Sequence, residues 1–263
     1  MELKIRSERD SDIPVSIFES DHGNGLLLMA HSFKSDRSEN KRFDEVAEKL
    51  RRYGYHTVSF DFPGNGESEE DFLEYSLRNC LNDMESVYGY MKEHYPLDLR
   101  KLALLGYSMG GRLISLFYAR HSEFNELVFW AACNQDYGLE DRFLEQDLSD
   151  LKRQCDEKGY CDFYDIFEET YSKMSSQFVY DILSLDALSP LDGFKGRALI
   201  IQGKKDTTID ISNAQMIYDH LQKADERRLL MLPGADHGFG LWDERPQDSE
   251  VLVSETVNFL KRI

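Results

Sequence analysis

Basic residues are scarce in this chain of 263 residues. Its 31 lysines and arginines are outnumbered by 49 aspartates and glutamates, which leaves a formal net charge of −18 at pH 7. Charge of this sign repels the phosphate backbone of nucleic acids and the anionic headgroups of lipids. We therefore expect neither nucleic acid nor a membrane surface as a partner, and a highly anionic substrate is disfavoured. The composition does not indicate an oligomeric state.

The sequence also lacks long apolar runs, an N-terminal stretch that resembles a signal peptide, and Cys-x-x-Cys pairs. Residues 1–6 contain no apolar core of the kind that a signal peptide needs, and no apolar stretch approaches the roughly 20 residues of a transmembrane helix. The four cysteines, Cys80, Cys133, Cys155 and Cys161, form no Cys-x-x-Cys pair. A disulfide or a metal site could use the last two, but free thiols are the simpler expectation. These absences predict a cytoplasmic protein.

Apolar residues make up 41% of the chain, which is enough for the core of one α/β domain of this length. Short continuous apolar runs, such as residues 26–30 and 101–105, are typical of strands that are covered on both faces. Amphipathic helical patterns alternate with them, which predicts a mostly parallel central sheet with helices on both faces. Residues 2–7 and 13–19 alternate apolar and polar side chains, which predicts an antiparallel start with Pro14 in an edge strand.

A Gly-x-Ser-x-Gly pentad at residues 106–110 joins one of these apolar runs to a helical pattern without proline. A serine hydroxyl is a weak nucleophile, so it must stand clear of the backbone and reach a base. A sharp turn from strand to helix achieves this, and the flanking glycines relieve the crowding that such a turn creates. The pattern therefore predicts Ser108 as a nucleophile rather than an incidental serine in a glycine-rich turn.

Two further polar residues follow later strands of the predicted sheet. Asp206 lies three residues beyond Gly203 at one strand end, and His237 lies in a glycine-flanked loop after the last strand. The order Ser, Asp, His, each at a strand end, suits nucleophilic acyl chemistry on a parallel sheet. We predict His237 as the general base and Asp206 as the carboxylate that orients it. Asp236 is expected to shape the loop; the competing carboxylates are first Asp210, then Asp192 and Asp186.

The tetrahedral intermediate of acyl transfer also needs hydrogen-bond donors for its oxyanion. On such a sheet one donor is the amide after the nucleophile, here Met109, and the other comes from the loop after the first buried strand, here Phe33. His31 in that loop is expected to shape it by a hydrogen bond rather than to act as a base or a metal ligand. Structural roles are expected for the remaining histidines, His22, His56, His94, His121 and His220.

The alternation of strands and helices breaks at Asn134 and resumes near Arg197. Residues 134–190 are charged, mostly helical in pattern and rich in aromatic side chains. We predict a helical cap insertion over the active site, with residues 1–133 and 191–263 as the α/β core. The alternative is a peripheral layer whose aromatic side chains pack inward. The aromatic residues are Tyr137, Phe143, Tyr160, Phe163, Tyr164, Phe167, Tyr171, Phe178 and Tyr180.

Five motifs stand at the predicted strand ends: His-Ser-Phe at 31–33, Asp-Phe-Pro-Gly-Asn-Gly-Glu-Ser at 61–68, Gly-Tyr-Ser-Met-Gly-Gly at 106–111, Gly-Lys-Lys-Asp at 203–206 and Gly-Ala-Asp-His at 234–237. Together they resemble the α/β-hydrolase superfamily over nearly the whole chain apart from the cap. The compact cap and the His-x-Phe loop are similar to small bacterial carboxylesterases, including the cinnamoyl and feruloyl esterases. That family usually has His-Gly before the oxyanion residue, so Ser32 predicts either an altered loop or a hydroxyl that adds a hydrogen bond.

The resemblance implies a serine hydrolase that cleaves carboxylic esters through an acyl-Ser108 intermediate, with no metal and no organic cofactor. A small apolar or aromatic ester is the expected substrate, although no substrate-binding residue is assigned. The same triad would serve a thioesterase, a serine peptidase, a C–C hydrolase or an acyltransferase, because the pockets that separate these activities lie in the cap. A ligand-binding protein with vestigial turnover is a further alternative. A serine nucleophile argues against dehalogenase or epoxide-hydrolase chemistry.

Overall fold

A computed structural model of the chain describes residues 1–135, 147–165, 169–241 and 245–261. The described strands are β1 Glu2–Arg6, β2 Asp12–Phe18, β3 Gly25–Ala30, β4 Tyr55–Phe60, β5 Leu102–Tyr107, β6 Glu126–Trp130, β7 Tyr160–Asp165, β8 Thr170–Ser175, β9 Arg197–Gly203 and β10 Glu226–Leu232. The described α-helices are α1 Arg42–Leu50, α2 Leu77–His94, α3 Met109–Tyr118, α4 Leu148–Lys158, α5 Ser176–Ser184, α6 Ser212–His220 and α7 Pro246–Leu260. None of these helices is both long and apolar enough to span a bilayer.

Eight strands form one sheet in the order β1-β2-β4-β3-β5-β6-β9-β10. β2 pairs antiparallel with β1 and with β4, and the remaining neighbours are parallel. The predicted mostly parallel sheet with an antiparallel start is therefore confirmed. Parallel neighbours need crossover connections, and helices such as α1 and α3 supply them.

Pro14 does not lie in an edge strand, so that prediction was wrong. The edge strand is β1, and β2 lies between β1 and β4. The pairing of β2 with β4 begins only at Val15, which faces Phe60. Pro14 lies just outside this register and contributes only its carbonyl, which accepts a hydrogen bond from the Asp61 N–H at 3.0 Å. An interior strand tolerates proline at such a position because no ladder donor is missing.

The two faces of the sheet carry separate apolar cores. Leu26 and Leu28 of β3 point into a core with α2, α3 and α6, whereas Leu27 and Met29 point into a core with α1 and α7. Both faces of β3 are thus covered, which explains its continuous apolar run. Each of these four side chains is at most 1% exposed, and such burial stabilises the fold by about 1.5–3 kcal/mol per residue.

The segment predicted as a helical cap also contains an antiparallel hairpin. Strands β7 and β8 pair between helices α4 and α5, with Phe163 facing Ser172. The prediction of a mostly helical segment depended on the absence of the continuous apolar runs that mark parallel strands. β7 has no such run because it alternates half-buried and buried residues, as a two-stranded sheet with one covered face does. Tyr137, Phe143 and Phe167 lie outside the described residues. The boundaries 134–190 stay a prediction.

The register of the sheet brings distant loops to one edge. Ala30 at the end of β3 pairs with Gly106 of β5, and Tyr107 at the end of β5 pairs with Trp130 of β6. At the far side, Gly203 of β9 pairs with Leu232 of β10. Because parallel strands end at the same edge, the loops after β3, β5, β9 and β10 are neighbours there.

Candidate active site

Ser108 lies in the tight turn between β5 and α3 with φ 53° and ψ −116°. A positive φ is uncommon for a residue with a side chain and indicates a strained backbone. Three backbone hydrogen bonds hold the turn: Ser108 N–H donates to Trp130 O at 2.8 Å, and Ser108 O accepts from Gly111 and Cys133 at 3.0 Å each. The strain is thus held by the strand β6 and by the first turn of α3.

The glycines on either side of this turn leave no space for a side chain. A Cβ on Gly106 would lie 2.3 Å from Gly110 O, and a Cβ on Gly110 would lie 2.0 Å from Ala30 O. Both obstacles are backbone atoms, so a flexible neighbour does not relieve them. The pentad therefore allows α3 to begin directly against the end of β3, which brings the serine beside the loop that follows Ala30.

Gly110→Ala is expected to destabilise the protein by about 1–3 kcal/mol, because the added methyl group overpacks a rigid site. The matched control is Gly89→Ala in the exposed middle of α2, where a Cβ meets nothing within 4 Å. That substitution is expected to stabilise the helix by roughly 0.5–1 kcal/mol, because glycine is the poorer helix former. Urea unfolding of both variants measures the contrast, and equal midpoints would contradict it.

The structure brings the three residues of the predicted triad together. His237 Nε2 lies 3.1 Å from Ser108 Oγ, and His237 Nδ1 lies 2.8 Å from Asp206 Oδ2. All three residues are buried, with 5–6% of their surfaces exposed. This arrangement suits proton transfer from a serine hydroxyl to an imidazole whose other nitrogen is held by a carboxylate.

Asp206 accepts hydrogen bonds on both of its carboxylate oxygens. Oδ1 accepts from the backbone N–H groups of Thr208 and Ile209 at 2.9 and 2.8 Å, while Oδ2 accepts from Gln202 Nε2 at 2.8 Å. These three donors fix the orientation of the carboxylate, in which Oδ2 faces His237. A carboxylate oxygen accepts hydrogen bonds, so we assign the imidazole proton to Nδ1, which leaves Nε2 as the acceptor.

The competing carboxylates serve other contacts. Asp210 accepts from Ser212 N–H at 2.9 Å, Asp186 accepts from Leu188 N–H at 2.9 Å, and Asp192 lies 2.9 Å from His220 Nδ1. Asp236 accepts from Gly240 N–H at 3.2 Å, as expected of a residue that shapes the loop.

Four of the histidines expected to be structural have partners away from Ser108. The contacts join His56 to Ser20 N–H, His94 to Tyr90 O, His121 to Glu85, and His220 to Asp192. Across the described ranges, no group of three His, Cys, Asp or Glu side chains is arranged to hold a metal ion. All four cysteines are buried free thiols.

Met109 and Phe33, the two predicted oxyanion donors, lie on neighbouring segments. Met109 is the first residue of α3, where the helix leaves its leading N–H groups without intrahelical partners. Phe33 belongs to residues 31–34, here called the oxyanion loop. This loop follows the end of β3 and passes beside Gly110. A Cβ on that glycine would lie 2.8 Å from His31 O, so the loop and the start of α3 are in close contact.

His31 orients the peptide group that carries the Phe33 N–H. Its Nε2 accepts from Phe62 N–H at 3.0 Å, so Nδ1 carries the proton and donates to Ser32 O at 2.7 Å. In a trans peptide the carbonyl of Ser32 and the N–H of Phe33 point in opposite directions. Binding the carbonyl therefore aims the N–H. Burial lowers the pKa of His31, which keeps the ring neutral and this pattern of bonds intact.

Ser32 lies in the oxyanion loop at the position where the resemblance to carboxylesterases implies glycine. The left-handed backbone of the loop is at Lys34, with φ 53°, whereas Ser32 has no positive φ. The side chain of Glu39 accepts the Ser32 N–H. The backbone at Ser32 therefore needs no conformation that only glycine adopts readily, and whether the serine alters the loop stays a prediction.

Two residues that the sequence analysis did not identify bind the backbone of the loop that carries His237. Tyr107 donates its hydroxyl to His237 O at 2.6 Å, and Arg42 donates from Nη1 to Gly238 O at 2.9 Å. Arg42 had a detectable signal, because it is a charged residue on the apolar face of α1, one turn before Val46. Tyr107 had none beyond its place in the pentad.

The aromatic side chains of the segment 134–190 that the structure describes divide into two groups. Phe163 and Phe178 contact Phe33, with ring centroids 5.9 and 5.6 Å apart, and Phe72 and Tyr75 complete this cluster at 5.4 and 5.3 Å. The other group lies toward the surface and comprises Tyr160, Tyr164, Tyr171 and Tyr180.

An ion pair joins the oxyanion loop to the hairpin. Lys34 pairs with the buried carboxylate of Asp165 and donates to Ser172 Oγ at 3.3 Å. Its ammonium also lies 5.1 and 5.5 Å from the ring centroids of Phe72 and Phe163. The ion pair with Asp165 and the contact with Phe163 therefore tie the hairpin to the oxyanion loop.

Comparison with known families gives one match that covers most of the chain. The family model described as Hydrolase_4, serine aminopeptidase S33, matches residues 25–240. Among curated proteins, the chain is similar to the AB hydrolase superfamily protein YisY of Bacillus subtilis strain 168, with 21% identity over 271 residues. That alignment covers 93% of this chain and 96% of the relative.

Solved structures with the same fold include two esterases. Est1E from Butyrivibrio proteoclasticus, bound to ferulic acid, superposes with a TM-score of 0.78 at 17% identity, covering 99% of this chain and 100% of that one. The Pyrococcus furiosus esterase Pf2001 superposes with a TM-score of 0.70 at 17% identity, covering 100% of this chain and 91% of that one. These similarities confirm the predicted α/β-hydrolase fold.

Proposed function

The chain belongs to the serine aminopeptidase S33 family of α/β hydrolases, and we propose that it cleaves carboxylic esters of small molecules through an acyl-Ser108 intermediate. The observation that carries this proposal is the chain of contacts from Asp206 through His237 to Ser108, with lengths of 2.8 and 3.1 Å. In this proposal Ser108 is the nucleophile, His237 the base and Asp206 its orienting group.

The acylation step begins with attack of Ser108 Oγ on the ester carbonyl. His237 Nε2 takes the hydroxyl proton as the new C–O bond forms, and the N–H groups of Phe33 and Met109 stabilise the negative charge on the carbonyl oxygen. Collapse of the tetrahedral intermediate breaks the ester bond, and the imidazolium returns its proton to the departing alkoxide. The alcohol leaves and the acyl group stays on the serine.

The deacylation step repeats this sequence with water. His237 takes a proton from the water as the oxygen attacks the acyl carbon, and the second tetrahedral intermediate uses the same two N–H groups. Its collapse breaks the bond to Ser108 Oγ, which recovers its proton from the imidazolium. Asp206 stays ionised throughout and stabilises the imidazolium each time it forms.

An apolar or aromatic acyl or alcohol group is proposed for the substrate. The support is the aromatic cluster of Phe33, Phe163 and Phe178, because the proposed oxyanion donor Phe33 is itself part of it. A ring bound beside this cluster would gain edge-to-face contacts as well as burial. Est1E has been solved with ferulic acid, an aromatic acid, which agrees with this proposal.

The family description favours peptide bond cleavage as the second candidate. An aminopeptidase needs a carboxylate for the α-ammonium group of its substrate. In the part of the chain that the structure describes, two buried carboxylates near the oxyanion loop, Glu39 and Asp165, already pair with Arg42 and Lys34. Neither is a ready partner for a further cation, and this favours the ester over the aminoacyl substrate.

A substrate panel tests the proposed function. Purified protein is expected to hydrolyse p-nitrophenyl acetate, p-nitrophenyl butyrate and methyl ferulate, and to turn over aminoacyl p-nitroanilides and acyl thioesters far more slowly. Faster cleavage of the anilides would replace the esterase by an aminopeptidase. Stoichiometric labelling of Ser108 by a fluorophosphonate, without turnover of any substrate in the panel, would favour a binding protein with a vestigial site.

A further inference from the structure

Glu39 and Arg42 form an ion pair behind the proposed catalytic residues, between β3 and α1. Arg42 Nη2 lies 3.7 Å from Glu39 Oε2, and Arg42 Nε donates to Glu39 O at 3.1 Å. The two residues are only 1% and 2% exposed. Neither charge belongs to the triad, so the mechanism proposed above gives them no role.

Each member of the pair binds a different loop of the site. Glu39 accepts the N–H of Ser32, which lies one peptide before the proposed donor Phe33. Arg42 donates to Gly238 O at 2.9 Å, in the loop 233–241 that carries His237 and is here called the histidine loop. One ion pair thus connects the two loops that carry the proposed oxyanion donor and the proposed base.

Further contacts make the connection specific. His31 already binds Ser32 O, so Glu39 and His31 together hold two consecutive peptide groups of the oxyanion loop. On the other side, the Arg42 guanidinium lies 5.0 Å from the Tyr107 ring centroid, and the Tyr107 hydroxyl binds His237 O at 2.6 Å. The histidine loop is therefore held at two successive carbonyls.

A buried ion pair contributes little net free energy to the stability of a fold. Two buried charges lose their hydration, and apolar residues of the same size often serve stability as well or better. The backbone adds to the cost, because Glu39, Asn40 and Lys41 are consecutive left-handed residues with φ 47°, 54° and 69°. A surface pocket of about 220 Å³, lined by Ser32, Glu39, Arg42 and others, opens beside the pair.

We propose that Glu39 and Arg42 are positioning residues, which hold the oxyanion loop and the histidine loop in register so that the Phe33 N–H and His237 Nε2 act on the same substrate. This inference rests on the proposed function. It assigns the pair an effect on turnover through Ser32 and Gly238, and no contact with the substrate itself.

The decisive variant is the double substitution Glu39→Gln with Arg42→Met. Each single substitution leaves one buried charge unpaired and is expected to destabilise the protein, whereas the double variant removes both charges and regains most of the lost stability. If the pair positions the loops, kcat for p-nitrophenyl acetate in the double variant stays about 10- to 100-fold below wild type, because small misplacements at a reacting centre have effects of this size. KM is expected to change less than about twofold, because ground-state binding is untouched.

The matched control removes an exposed pair on α1, the helix that begins at Arg42: Glu45 and Lys49, whose charged atoms are 3.8 Å apart. Glu45→Gln with Lys49→Met is expected to keep wild-type kcat, KM and urea midpoint. The rate of Ser108 phosphonylation by a fluorophosphonate gives a second readout. It should fall with the Glu39/Arg42 double variant and not with the control.

A refolded and stable Glu39/Arg42 double variant with wild-type kcat and phosphonylation rate overturns the inference. Should that variant fail to fold, Arg42→Lys decides. Its single ammonium keeps a charge beside Glu39 but does not reproduce the two separate bonds from Nε to Glu39 O and from Nη1 to Gly238 O. About a tenfold loss of kcat is therefore expected, and an unchanged kcat refutes the proposal. Loss of wild-type turnover in Ser108→Ala tests the proposed function separately, so the two failures are distinguishable.

Discussion

Ser108→Ala is expected to lower kcat for p-nitrophenyl esters by at least on the order of 10³-fold while leaving the fold intact. The methyl group keeps the Cβ at the strained position with φ 53°, so the backbone turn and its hydrogen bonds are preserved. Only the hydroxyl that lies 3.1 Å from His237 Nε2 is lost. The residual activity would come from the oxyanion donors and from substrate binding, which act without a nucleophile.

Steady-state hydrolysis, labelling with a fluorophosphonate and urea unfolding measure this result together. The variant should lose both turnover and label while its unfolding midpoint stays close to wild type. Ser254→Ala, an exposed serine on α7, is the control and should behave as wild type. Wild-type turnover in Ser108→Ala would end the assignment of this serine as the nucleophile.

Asp206→Asn is expected to lower kcat by about 10⁴-fold, the size of the loss when an orienting carboxylate of a triad becomes an amide. The new side-chain amide would retain an oxygen for the N–H groups of Thr208 and Ile209, but its NH₂ would face His237 Nδ1 where Oδ2 now accepts at 2.8 Å. Two donors would then meet. The imidazole would relieve this by moving its proton to Nε2, and that tautomer no longer accepts the proton of Ser108.

The runner-up carboxylate gives the matched control for this prediction. Asp210→Asn keeps the oxygen that accepts Ser212 N–H, so its kcat should stay within about twofold of wild type. Both variants are compared by kcat, KM and urea midpoint, and KM of Asp206→Asn should change little because the loss is confined to the transition state. A large loss in Asp210→Asn with none in Asp206→Asn would reverse the assignment.

The two substitutions remove different contributions to turnover. The serine contributes a bond to the substrate, whereas the aspartate contributes only the orientation and charge balance of its neighbour. The Glu39–Arg42 pair lies one step further away, since it acts on the backbone of the loops. The expected loss of kcat is therefore smallest for the positioning pair, because the triad itself stays chemically complete when that pair is removed.

Much of the fold was predictable because it depends on local periodicity. Continuous apolar runs such as β3 mark strands covered on both faces, and the amphipathic pattern of α1 marks a helix on the sheet. The hairpin of β7 and β8 was missed because β7 alternates half-buried and buried residues and lacks the continuous apolar run that marks a strand covered on both faces. The position of Pro14 was misread because which strand lies at an edge depends on pairing between distant segments.

The sequence by itself determined the alternation of strands and helices, the glycine-flanked turn at Ser108, and the order of serine, aspartate and histidine along the chain. Only the tertiary structure showed that Asp206, the carboxylate predicted from the sequence, lies 2.8 Å from His237, and that Glu39 and Arg42 join two loops. Periodicity and turn chemistry involve only a few neighbouring residues, so they can be recognised in the sequence. A hydrogen-bond partner is selected within about 3 Å in space. Residues such as Arg42 and Gly238 meet only after the whole sheet has formed.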